Sequence, residues 1–232
     1  MSSIENIVKA DHISVTFPTG PAISDISFTI ERGDFLAVIG PNGSGKTVLV
    51  RTLLGALPYT GTIEWKPGAR MGYVPQQIDI DRYVSLTLGD FLNLKIKILK
   101  LATDAVTKAI TLVGLPETAL KSQIRFLSGG QLQRGLVAFA LLGDPDVIFL
   151  DEPTASIDVA GEEQIYETLH RLQDATGMTI VLISHELDLV SRYATKILCI
   201  NRQMICFGDP TLSLKTEVLE KLYGTPAHVH KL

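Results

Sequence analysis

Two runs of alternating apolar and polar residues open the chain, "IVKADHISVTF" and "AISDISFTI", with "PTGP" between them. Alternation of period two predicts strands with one buried face, and the Pro-Gly break predicts that they pair antiparallel. "FLAVIG", ending at Gly40, is apolar without alternation and predicts a strand buried on both faces. A glycine-rich turn follows. "KTVLVRTLLGAL" then has helical spacing that runs out near Gly55 and Pro58. "GTIEW" and "RMGYVP" predict two more short strands.

From Leu86 to Leu142 the pattern changes period. Glycine thins out, and "LTLGDFLNLKIKILK", "TDAVTKAITLVGL" and "QLQRGLVAFALL" all carry helical spacing, which predicts a helical insertion. Strand and helix alternation then resumes. "DVIFLDEP" predicts a strand ending in acids, "EEQIYETLHRLQDAT" a two-faced helix, "MTIVLISH" a buried strand, "ELDLVSRYA" a short helix and "KILCINRQMICFG" a strand pair. Strands alternating with helices predict an α/β fold with a mainly parallel sheet covered on both faces.

The 232 residues are 46% hydrophobic and 20% charged, ordinary for a folded domain with a large core. A net charge of −4 argues against a broad nucleic-acid surface. The N-terminal "MSSIENIVKADHIS" lacks a basic segment followed by an apolar core, so no signal peptide is expected. The longest apolar stretch, "LVAFALLG", falls far short of the ~20 residues of a bilayer span, so any membrane role is expected to be peripheral. Cys199 and Cys206 would face each other across a hairpin turning near Arg202 and Gln203. They read as two buried thiols of a reduced cytosolic protein.

The chemistry concentrates at strand ends. "GPNGSGKT" (Gly40, Pro41, Asn42, Gly43, Ser44, Gly45, Lys46, Thr47) fits G-x-x-x-x-G-K-[ST] between a predicted strand and a predicted helix. Glycines let successive backbone N–H groups converge on phosphates, Lys46 supplies a point charge, and the Thr47 hydroxyl can ligate Mg²⁺. In "VIFLDEP", Asp151 can hold Mg²⁺ through water, and Glu152 can polarise a water for attack on a γ-phosphate. His185 in "LISHE" ends the next buried strand, where an imidazole can reach the γ-phosphate and that water. Gln76 in "YVPQQ" can contact Mg²⁺ or the water without adding charge. "LSGGQLQRGLVAF" is a Ser-Gly-Gly turn opening a helix, and a helix N-terminus suits an anion. The chain thus carries two phosphate cradles and one set of carboxylates.

Taken in order, these residues resemble the ATP-binding-cassette (ABC) ATPases along nearly the whole chain. The phosphate loop, Gln76, the signature at Leu127–Gln131, the acids Asp151 and Glu152, the D-loop "ASID" ending at Asp158, and His185 fall in the family's sequence. The resemblance implies a P-loop NTPase core with an N-terminal antiparallel β subdomain and an inserted helical subdomain. Residues 1–85 and 144–232 would form the core, and 86–143 the helical signature subdomain. It implies Phe17 as the aromatic stacking on adenine, with core packing as the alternative. It also implies ATP and Mg²⁺ as cofactors, with Thr47, Gln76 and Asp151 around the metal.

The resemblance also accounts for the two cradles. Two copies would sandwich two ATPs head to tail, so that Ser128, Gly129, Gly130 and Gln131 of one face the γ-phosphate held by the other. Membrane permease subunits would hold the pair on the cytoplasmic face of the inner membrane, with an extracytoplasmic binding protein as an indirect partner and no nucleic acid. "GYVPQQIDIDRYVSLTLGDFL" and "ILCINRQMICFGDP" with "EVLEKLYG" look like the zinc, manganese and related metal importers. A siderophore, haem, amino acid or lipid stays open as cargo, and a non-transport ATPase is the more distant alternative. The surface around Gln77–Tyr83 and Phe91, with Asp79 and Asp81, would receive the permease. The tail "HVHKL" (His228, His230) reads as a tail rather than a metal site. One departure stands out: Phe139 occupies the place where the family commonly has a second arginine.

Overall fold

Apolar alternation becomes a long antiparallel hairpin in the computed structural model, which describes residues 5–76, 85–102, 104–154 and 157–224. Strands β1 (Asn6–Phe17) and β2 (Gly20–Glu31) pair antiparallel, and β4 (Thr60–Trp65) adds to the other side of β1. Ile13 and Val15 on β1 and Ile26, Phe28 and Ile30 on β2 are buried, as the alternating pattern requires, whereas adjacent Ile7 and Val8 are both buried where the β1–β2 register shifts. The chain divides into two units, Met1–Ala69 with Thr179–Leu232, and Arg70–Met178.

In the first unit, β3 (Phe35–Ile39) pairs parallel with both β7 (Thr179–Ile183) and β8 (Lys196–Asn201). β9 (Gln203–Gly208) returns antiparallel along β8. Every residue of β3 and β7 is buried, which explains their unbroken apolar runs. Helices α6 (Leu187–Tyr193) and α8 (Thr216–Tyr223) close one core, where Val190, Leu219 and Leu222 meet Ala37, Ile39, Ile197 and Cys199. The short helix α7 (Pro210–Ser213) links β9 to α8. Helix α1 (Lys46–Leu53) springs from the glycine turn, and the Trp65 indole N–H caps its far end by donating to the Leu53 carbonyl at 3.2 Å.

In the second unit, β5 (Met71–Val74) and β6 (Val147–Asp151) pair parallel. Three helices follow the predicted insertion: α2 (Leu88–Leu99), α3 (Ala105–Leu112) and α4 (Gly129–Leu141). Helix α5 (Val159–Thr176) comes after β6. Thr87 caps α2 with a capping box, its hydroxyl accepting from Asp90 N and its own N–H donating to the Asp90 carboxylate. Gly72 lets β5 approach α4: a Cβ there would lie 2.7 Å from the Ala140 carbonyl oxygen. Two turns of 3-10 helix at Glu117–Lys121 and Ile124–Phe126 carry the chain into α4; periodicity gave no sign of them.

The thiol expectation needs correction. Cys199 and Cys206 do face each other across the β8–β9 hairpin, and they form a disulfide. Antiparallel register brings their Cα atoms to 4.9 Å, within disulfide range. The segment Gln77–Tyr83, with Asp79 and Asp81, and the tail with His228 and His230 lie outside the described residues.

Candidate nucleotide site

The first unit carries the phosphate loop. Gly40 leaves β3 so close to β8 that a Cβ on it would lie 2.0 Å from the Ile200 carbonyl oxygen. Only glycine fits there, which is the physical reason for the first fixed glycine of the motif. Gly45, at φ 101°, sits in the left-handed region and its Cβ would lie 2.3 Å from Ile23. Between them, Pro41 O accepts from Ser44 N at 3.2 Å, while Asn42 and Gly43 stay exposed.

Lys46 is buried, and its ammonium donates to the carbonyls of Gly40 at 2.8 Å and Pro41 at 3.1 Å. The lysine therefore closes the loop on itself and keeps its charge at the mouth of α1. Thr47 follows in the first turn of α1, half-buried. Ser44 Oγ is buried and has no hydrogen-bond partner among the described residues. A buried polar atom left without a partner in a glycine-rich turn at a helix N-terminus fits an oxyanion ligand.

Ser184 follows β7 and accepts from Glu186 N at 3.0 Å, holding the turn that presents His185 to solvent. Phe17 stands at the end of β1, opposite Gly20 in the hairpin, with 37% of its surface exposed. The ring is thus partly open to solvent.

The second unit carries the acids. Asp151 is the last residue of β6 and is 2% exposed. Glu152 follows at φ 46°, a left-handed backbone that β-strand residues rarely adopt. Its carboxylate accepts a 2.7 Å hydrogen bond from the Gln76 side-chain amide. Two residues picked out separately in the sequence, 76 positions apart, are thus partners. Asp158 caps α5, its carboxylate accepting from Gly161 N at 3.2 Å.

The signature turn is a capping box. Ser128 Oγ accepts from Gln131 N at 3.2 Å, and Gln131 Oε1 accepts from Ser128 N at 3.1 Å. Ser-Gly-Gly-Gln is therefore the local code for starting α4 here. A Cβ on Gly130 would meet nothing within 4 Å, so the open N-terminal turn has room for a group to approach. Arg134 steadies it from below, donating to the Gly130 carbonyl.

Phe139 has its own explanation. Its ring stacks on Phe91 of α2 with centroids 4.5 Å apart and planes at 21°. The Lys95 ammonium sits 4.9 Å above the ring and donates to the Phe139 and Ala140 carbonyls. A cation from α2 thus caps the C-terminal end of α4 where the family commonly has an arginine on α4 itself. Burial lowers the Lys95 pKa, consistent with its half-buried position. Phe91, expected at a docking surface, is engaged in this internal stack.

A protein-family model described as ABC transporter matches residues 23–155, which span the phosphate loop, Gln76, the signature and both acids. The chain is 37% identical over 219 residues to the zinc import ATP-binding protein ZnuC of Cereibacter sphaeroides, covering 94% of this chain and 88% of that protein. It is also 37% identical over 223 residues to the zinc import ATP-binding protein ZnuC of a Ruegeria species, covering 96% and 88%. Among solved structures, cbiO1 of Clostridium perfringens, part of the ABC transporter complex cbiONQ, superposes with a TM-score of 0.82 at 26% identity, covering 94% of each chain. With the phosphate loop, the capped signature helix and the strand-end acids in the family's order, this chain belongs to the ABC transporter family.

Proposed function

We propose that this chain is the ATP-hydrolysing subunit of a zinc importer, working as a pair of copies beneath permease subunits on the cytoplasmic face of the inner membrane. The likeness to zinc import ATP-binding proteins over nearly its whole length supports the cargo. No helix among the described residues is long and apolar enough to cross a membrane, so the path for the ion belongs to a partner.

The observation that carries hydrolysis, beyond binding alone, is Glu152. Its carboxylate is placed by a left-handed backbone turn and oriented by Gln76 at 2.7 Å. A carboxylate so held is a general base for water. The phosphate loop and Lys46 bind the phosphates, and His185 hydrogen-bonds the γ-phosphate. Phe17 stacks on adenine. Thr47, Gln76 and Asp151 offer hard oxygen donors, a set that suits Mg²⁺. The partnerless Ser44 Oγ of the phosphate loop suits a phosphate oxygen. Mg²⁺, when bound, neutralises phosphate charge. Ser128, Gly129, Gly130 and Gln131 contact the ATP of the second copy, and Asp158 lies at the junction of the pair.

Glu152→Gln tests this directly. It keeps shape and hydrogen bonding but removes the base, so ATP hydrolysis falls by about 10²–10⁴-fold. With ATP present the variant runs as a dimer in sizing experiments, because the sandwich forms and cannot be resolved by hydrolysis. A variant that hydrolyses ATP like the native chain, or stays monomeric at high concentration, removes Glu152 and the sandwich from the account.

A further inference from the structure

The disulfide lies against the phosphate loop. β8 pairs with β3 so that Cys199 sits opposite Ile39, the residue before Gly40. One residue on, the Ile200 carbonyl oxygen is the atom that a Cβ on Gly40 would strike at 2.0 Å. Two further on, Arg202 turns the hairpin at φ 59°, donates its N–H to the Ser44 carbonyl at 2.8 Å and accepts from Ser24 N at 2.7 Å. The β8–β9 hairpin is therefore the floor of the loop, meeting it through the backbone of Ile200 and Arg202. Its ladder is irregular between Cys199 and Ile200, just where the floor begins. The Cys199–Cys206 bond holds the register at that irregularity.

The two sulfurs differ in access. Cys199 is fully buried in the core under α6 and α8, whereas Cys206 is half-buried on β9. Cytosolic disulfides, where they exist, are usually transient and redox-sensing, and a chain with this much buried core does not depend on a staple to fold.

We propose that Cys199 and Cys206 form a redox-active pair that sets the affinity of the phosphate loop for ATP; this rests on the ATP-binding, cytoplasmic reading above. The oxidised hairpin keeps the floor rigid and the loop shaped for phosphate. The reduced hairpin lets the floor shift, and ATP binding weakens. The oxidant is a small-molecule disulfide such as oxidised glutathione. The Cys206 thiolate, having given its proton to solvent, attacks one sulfur of it and expels one glutathione thiolate. The Cys199 thiolate then attacks Cys206 Sγ and expels nothing from the protein but the second glutathione. Two protein thiols are oxidised to one disulfide, one glutathione disulfide is reduced to two thiols, and the two released protons return to them.

The test uses the full chain equilibrated in glutathione buffers from fully reduced to fully oxidised. Alkylation and intact mass count the free thiols, and a fluorescent ATP analogue reads affinity. Both thiols disappear together as the buffer becomes oxidising, and affinity rises by at least about fivefold, the low end of ordinary coupling between sites. Cys206→Ser, checked for folding by its unfolding curve, binds like the reduced chain at every poise. Equal affinity in the two redox states, thiols that resist oxidised glutathione, or a Cys206→Ser chain that still responds to poise each overturn the proposal. Failure of both redox states to bind the analogue instead overturns the ATP reading, and this proposal with it.

Discussion

Gly40→Ala is the sharpest probe of how the phosphate loop is built. A methyl group there would lie 2.0 Å from the Ile200 carbonyl oxygen and 2.9 Å from Ser44 Oγ, where folded proteins keep such contacts above 3.0 Å. Backbone has to yield, by about 1 Å, and overpacking of this kind costs about 1–3 kcal/mol. The atoms that yield carry the loop itself, because Lys46 is bonded to the Gly40 carbonyl and Arg202 to the Ser44 carbonyl. A misplacement of about 1 Å in a catalytic arrangement costs on the order of a hundredfold in rate. Gly55→Ala is the control. Gly55 also has positive φ, 73°, but its Cβ would meet nothing within 4 Å. That substitution costs about 1–2 kcal/mol of backbone strain and leaves hydrolysis untouched. Urea unfolding and steady-state ATP hydrolysis, run on both variants, separate the two effects. If Gly40→Ala hydrolyses ATP at close to the native rate, the β3–β8 approach does not shape the loop and the reasoning fails.

Three further outcomes follow from the geometry. A double-mutant cycle of Phe91→Ala and Phe139→Ala, read by urea unfolding, gives a coupling of about 0.5–1.5 kcal/mol from the stacked rings; additivity would mean that Lys95 and not the stack joins α2 to α4. Thr87→Ala costs about 1 kcal/mol by removing the α2 cap. The Thr87 hydrogen bonds also hold the Asp90 carboxyl below its ordinary pKa of 3.8, so this contribution is present above that value and lost as pH falls through the lowered one. His12 has the opposite sign. Its ring shares a 2.6 Å hydrogen bond with Asp25, which with the Asp25 and Asp11 charges raises its pKa above 6.5. That stabilisation is complete below 6.5 and disappears as pH rises through the raised value, so the native chain loses stability over this window relative to His12→Asn. Parallel stability curves for the two would remove the pair from the account.

Most elements were legible because their burial is simple. β3 and β7 are buried on both faces, β1 and β2 on one, and each shows it in its pattern. The chemistry was legible where spacing is dictated by phosphate geometry, as in Gly40–Thr47. What escaped was non-local. Pairing of Gln76 with Glu152 depends on a backbone turn at φ 46° that no residue type announces, since glutamate seldom adopts it. The Phe91–Phe139–Lys95 cluster joins positions from two helices, so the sequence showed only an arginine replaced. The disulfide was hidden by a compartment argument: the hairpin and the facing cysteines were readable, while the bond depends on register and on poise.

The proposed function holds that ATP turnover by this chain drives zinc into the cell. The direct measurement is zinc accumulation in cells that rely on this chain and its permease, with the native chain against Lys46→Ala at equal abundance. Removing the buried ammonium that organises Gly40 and Pro41 abolishes ATP-dependent zinc uptake. Zinc uptake that persists at the native rate with Lys46→Ala would contradict the account.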